Sequence, residues 1–141
     1  MNVRLLSLSL IAATGLAGCG ASEPAAPPPP PPTEVAAVKT PPPQYPLELA
    51  CMGVGGTSTF KVTIGTDGKP SEVALLTGAG NPQLDELAKT AVQGWQFNAA
   101  TRNGQPVPAT IQVPVSFNPP QPKPDQCFAI EERLRLSLIH I

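Results

Sequence analysis

The chain has 141 residues, of which 20 are proline and 4% are aromatic, and its net charge is −1. That length holds one small domain with appendages, and so few rings leave it a small, mainly aliphatic core. Near-neutral charge with no Lys/Arg run or basic stripe excludes nucleic acid as a partner.

The first residues read as an export signal. Arg4 precedes an apolar run through Leu5, Leu6, Leu8, Leu10, Ile11, Ala12 and Ala13. The run falls short of the roughly 20 apolar residues a membrane-spanning helix needs, and it suits the core of a signal peptide. It ends in Leu16-Ala17-Gly18-Cys19. Small residues let an extended chain enter a peptidase groove, and a cysteine thiol can take a lipid through a thioether. The stretch resembles a bacterial lipobox, which makes 1–18 a signal peptide and Cys19 the lipidated N-terminus. An ordinary signal peptide that contains a cysteine is the alternative. Several acyl chains on one residue hold a membrane far better than one. Gly20 stands where many inner-membrane lipoproteins carry aspartate, so the resemblance points to the periplasmic side of the outer membrane.

Residues 19–44 read as a lipid-anchored, proline-rich linker. The runs Pro27 to Pro32 and Pro41 to Pro43 favour a polyproline II spacer. Roughly 25 residues at about 3.1 Å each reach about 75 Å.

Residues 45–118 carry the periodic patterns of a domain. Tyr45 to Ala50 predicts a short helix opened by Pro46, and Gly53, Gly55 and Gly56 end it. Phe60, Val62 and Ile64 alternate with Thr59, Lys61 and Thr63, which predicts a strand. The Asp67-Gly68 turn returns the chain through Val73 to Leu76 as a β-hairpin. Asn81 and Pro82 open a helix whose apolar face is Leu84, Leu87, Ala88, Ala91, Val92 and Trp95, with Gly94 as its stop. Asp85 and Glu86 read as solvated first-turn carboxylates, and Trp95 as the anchor of this helix on the sheet. Asn103-Gly104 is a second turn signal. A last strand covers Ala109 to Phe117, with Ile111, Val113, Val115 and Phe117 on one face. The order of elements defines an α+β domain: a small antiparallel three-stranded sheet with two helices, α-β-β-α-β.

Residues 119–141 read as a proline-rich tail with a short charged helix over 128–136. The closing LSLIHI resembles translated adaptor sequence, so His140 carries no weight. In an oxidising compartment, Cys51 and Cys127 form an even pair, and a disulfide between them is predicted; two unpaired thiols are the alternative. The loop-closure model gives such a bridge roughly 4 kcal/mol.

No catalytic set is legible. Without a histidine before the tail no Ser/His or Cys/His pair can be built. The Gly53–Thr57 segment lacks the Gly-Lys-Ser/Thr of a phosphate loop. No metal or other cofactor is expected, and the chain reads as a binding module rather than an enzyme. The informative segment is the last strand. A proline inside a strand is confined to an edge. The donors of Thr110, Gln112 and Ser116 lie on one side with a gap at Pro114, and the odd-numbered donors on the other side are intact. The intact side is expected to pair within the sheet and the gapped side to stay open. Such an edge either accepts another chain by strand addition or is merely blunted against aggregation.

The pieces YP at 45–46, Asp67-Gly68, NPQLDELAKTAVQGWQF at 81–97, NGQPV at 103–107 and VPVSF at 113–117 together resemble the TonB C-terminal domain over about residues 41 to 118. Ala99 departs from the proline that often follows the family's Trp-x-Phe. The resemblance implies a helix–hairpin–helix–strand fold and a part in transmembrane transport. TonB links the proton-motive force at the inner membrane to outer-membrane receptors, and its C-terminal domain takes up their TonB box as an added strand. This favours the strand-addition reading and makes Thr110, Ile111, Gln112, Val113, Pro114, Val115 and Ser116 the partner-strand site. The N-terminus departs from the family, which has a membrane-spanning anchor for ExbB and ExbD. The expected partners are therefore receptor TonB boxes or another envelope protein, a membrane through the lipid, and a second copy through the open edge. An envelope scaffold without energy transduction is the alternative function.

Overall fold

Alternation along Gly56–Ile64 (β2) puts Ser58, Phe60, Val62 and Ile64 on one face, and all four are fully buried. In this computed structural model, which describes residues 18, 20 and 23–139, β2 is the central strand of a three-stranded antiparallel sheet. Its neighbours are Pro70–Thr77 (β3) and Ala109–Phe117 (β7). The β2–β3 turn closes through Gly65 N–H to the Lys69 carbonyl at 2.9 Å, with Asp67 Oδ1 accepting from Lys69 N–H at 3.0 Å. Gly68 takes φ +78°, and a Cβ there would run into the Phe97 carbonyl oxygen. Only glycine allows both that backbone geometry and that approach.

The helix Pro82–Gln93 (α2) begins where its cap predicts: Asn81 Oδ1 accepts from Gln83 N–H at 2.9 Å and Leu84 N–H at 3.4 Å. Its buried stripe, Leu84, Ala88 and Val92, meets Phe60, Val62, Ile64, Val113, Val115 and Phe117 in one core. Each fully buried Val, Leu or Phe contributes about 1.5–3 kcal/mol. The short helix Leu47–Cys51 (α1) adds Leu49 to this core. The fold is α+β, as the patterns predict.

Four features depart from the sequence reading. First, the segment read as a spacer is partly docked. Ala36–Lys39 (β1) pairs antiparallel with Gln96–Asn98 (β4), and Thr33 bridges Thr101. Val35 packs against the core between these points. Second, the Asn103-Gly104 turn is flanked by its own small hairpin, Ala100–Arg102 (β5) and Gln105–Val107 (β6). Both turn residues have positive φ, 53° and 75°, as a tight two-residue hairpin turn demands. Third, Trp95 lies beyond α2. It packs on the core's margin, tilted against Phe97, and its Nε1–H donates to the Pro41 carbonyl at 2.8 Å. It holds the arm as well as the core. Fourth, Asp85 is not simply solvated: its Oδ1 accepts from the buried Ser58 hydroxyl at 2.7 Å and from Ala79 N–H at 2.8 Å.

The tail helix runs over Gln126–Ile139 (α3), longer than the charged segment predicted, and packs on α1. Cys51 and Cys127, both buried, are joined there by a disulfide with sulfurs 2.08 Å apart.

Candidate functional site

The surface that sequence reasoning singles out is β7. All nine of its residues pair with β2 in unbroken register, from Gly56 opposite Phe117 to Ile64 opposite Ala109. Thr110, Gln112, Pro114 and Ser116 are exposed, Val113 and Val115 are buried, and Ile111 is half-buried. Its inward face is thus anchored by core side chains, and β2 is its sole strand neighbour among the described residues.

Which edge carries which backbone groups follows from the register. Opposed residues in an antiparallel pair alternate between hydrogen-bonded positions and non-bonded positions, where side chains stand closer. Thr59 faces Pro114, which has no N–H, without any register shift. Thr57 Oγ1 meets Ser116 Oγ at 2.9 Å, and Thr63 Oγ1 meets Thr110 Oγ1 at 3.3 Å. Both observations mark the even-numbered positions of β7 as the non-bonded ones. Their backbone groups therefore point away from β2, to the outer edge. That edge offers the N–H groups of Thr110, Gln112 and Ser116 and the carbonyls of all four even residues. It can hydrogen-bond an extended chain.

Two further clusters lie elsewhere. The arm is tied by Thr33 N–H to the Thr101 carbonyl at 3.1 Å and the reciprocal bond at 3.0 Å, with Arg102 reaching the Thr33 carbonyl at 3.3 Å and Glu34 at 3.4 Å. Pro41 to Pro43, Gln44, Leu87, Thr90 and Ala91 line a shallow cleft of about 290 Å³ between arm and α2. The Tyr45 hydroxyl donates to the Val54 carbonyl, and its ring packs edge-on against Phe117 at 5.3 Å. Burial pushes its phenol above the ordinary value.

Among the described residues no group of three or more His, Cys, Asp or Glu side chains converges as a metal site would require. No helix among them is long and apolar enough to cross a membrane. Cys19 and His140 lie outside the described residues.

Fold and edge together define a small α+β module whose distinctive surface is backbone hydrogen-bonding capacity. The family model "Gram-negative bacterial TonB protein C-terminal" matches residues 41–119, more than half of the chain. The chain belongs to that TonB C-terminal family. It is 35% identical over 75 residues to Protein TonB of Xanthomonas campestris pv. campestris, a match covering 53% of this chain and 34% of that protein. It is 34% identical over 75 residues to Protein tonB2 of Pseudomonas aeruginosa, covering 53% of this chain and 28% of that protein. The matched region thus spans about a third of the length of these relatives. The solution NMR structure of the Pseudomonas aeruginosa TonB CTD superposes with a TM-score of 0.49 at 21% identity, covering 65% of this chain and 91% of that one.

Proposed function

We propose that this chain is a lipid-anchored binding module of the bacterial cell envelope. It takes part in transmembrane transport by engaging outer-membrane TonB-dependent receptors on the periplasmic side. The receptor's TonB box adds as a strand to the outer edge of β7, across Thr110 to Ser116. Cys19 carries the lipid, and the outer membrane is the proposed site of anchoring. The observation that carries the reading is β7 itself: nine residues in unbroken register on one side, with exposed, outward-directed backbone groups on the other. Family membership supports it.

A second reading is an envelope scaffold that holds a partner without transducing energy. The docked arm favours it, because residues 33–39 pair with the domain and leave less chain free to span a compartment.

Titration separates receptor capture from its absence. The oxidised full chain, amide-labelled, is mixed with TonB-box peptides from the host's own receptors. Saturable shifts confined to 109–117, absent with scrambled peptides, are expected. Peptides that leave these amides unmoved would sink the transport reading and leave the scaffold. Mass spectrometry of the mature N-terminal peptide tests Cys19: an S-diacylglyceryl adduct, with or without an N-acyl chain on the α-amino group, is expected, and an unmodified peptide would rule out the anchor.

A further inference from the structure

An acceptor edge works only if it stays vacant. Both flanking stretches of this chain are committed elsewhere. The arm before the domain pairs with β4 and bridges Thr101. The tail after β7 is tied to α1 by Cys51–Cys127. It also carries Pro120, Pro122 and Pro124 at alternate positions, which would leave one whole side of a strand without donors. In a twofold-symmetric pairing of two copies, the strand that would cover this edge is β7 of the second copy.

We propose that Pro114 is a selectivity element that favours a foreign extended strand over self-pairing of β7; this rests on the strand-acceptor reading above. The outer edge has four carbonyls but three N–H groups, because Pro114 supplies none. A foreign strand laid across all four positions misses one hydrogen bond. Two copies paired about a twofold axis miss two, since the gap occurs once on each strand. With Gln112 opposite Pro114, both Gln112 carbonyls lose their donor. With Pro114 opposite Pro114, both proline carbonyls do. Any symmetric register that includes Pro114 carries this double loss, and one that avoids it keeps too few residues to hold. A carbonyl left unpartnered in an interface is penalised beyond the bond it fails to make, so doubling the gap discriminates sharply against the dimer.

The test compares the oxidised full chain with Pro114→Thr in density-matched detergent, by sedimentation equilibrium and by titration with receptor TonB-box peptides. Threonine restores the donor on a face already lined by Thr59, Thr63 and Thr110. The wild type is expected to be monomeric across the micromolar range. In Pro114→Thr, peptide affinity should rise about 5-fold and the self-association constant by about the square of that, roughly 25-fold. Gln112→Pro is the second variant. Its N–H also faces outward, so the sheet should persist while peptide affinity falls about 5-fold. A wild-type dimer held through β7 would overturn the proposal. So would a folded Pro114→Thr that binds peptide and itself no better than wild type. The two failures are distinct. Peptides that bind wild type with no change in Pro114→Thr leave receptor capture standing and remove the selectivity element. Peptides that never bind, with Pro114→Thr nevertheless dimerising, keep the selectivity element and remove receptor capture.

Discussion

Ser58 is fully enclosed in β2, and its hydroxyl reaches Asp85 across the sheet–helix junction. The same carboxylate oxygen takes the Ala79 amide, so one side chain joins β2, the loop before α2 and the helix itself. Removing the carboxylate strands a buried hydroxyl and an amide. Asp85→Ala is expected to lower unfolding free energy by about 2–3 kcal/mol, read by urea denaturation. Gly68→Ala should cost more than about 1 kcal/mol in the same assay, because its φ is positive and the Phe97 carbonyl occupies the space. Tyr45 titrates above its ordinary value because burial disfavours the phenolate. The fold therefore favours the protonated phenol. That contribution is complete below about pH 10 and fades as pH rises through the raised value, so thermal stability should fall in that alkaline window more steeply than for Tyr45→Phe. The Asp85 interaction was not legible in the sequence. A carboxylate in the first turn of a helix ordinarily faces water, and nothing at Ser58 signals that its partner lies 27 residues away.

At the scale of elements, the legible parts were those whose side chains set their own periodicity. The alternation of β2, the cap and stripe of α2 and the full extent of β7 follow from local pattern and end signals. The arm was not legible, because β1 is exposed along its whole length and carries no alternation. Its pairing depends on the distant β4 and on Trp95, whose spacing marks it only as a core anchor. Trp95→Phe keeps a ring but loses the donor to Pro41. It should raise amide exchange across 36–39 several-fold while leaving β2 and α2 protected. The candidate site shows the same division. The gap at Pro114 can be read from one residue type, whereas the outward direction of its neighbours needed the register opposite Thr59.

The whole molecule is closed at one end by a covalent link. Cys51–Cys127 joins the tail helix to α1 across 76 residues of chain. Cys127→Ser should lower stability by about 2–4 kcal/mol and expose α3 to proteolysis near Gln126. The β2–β7 pairing should survive, since it rests on the core side chains Phe60, Val62, Val113 and Val115. Loss of that pairing in the variant would show that the tail supports the acceptor edge directly.

The docked arm also sets a length. With Cys19 as the proposed anchor, the leash before the first backbone bridge is residues 20–32, because Thr33 is already fastened to Thr101. Thirteen residues at polyproline rise reach about 40 Å, against about 75 Å for the full spacer. The volume a tethered domain explores scales with the cube of its leash, so docking shrinks it about sevenfold and enriches the domain near membrane-bound targets to the same degree. Fastening this twelve-residue segment, 33–44, to a sheet and an indole thus changes how often the domain meets its neighbours, without altering a single contact it makes with them.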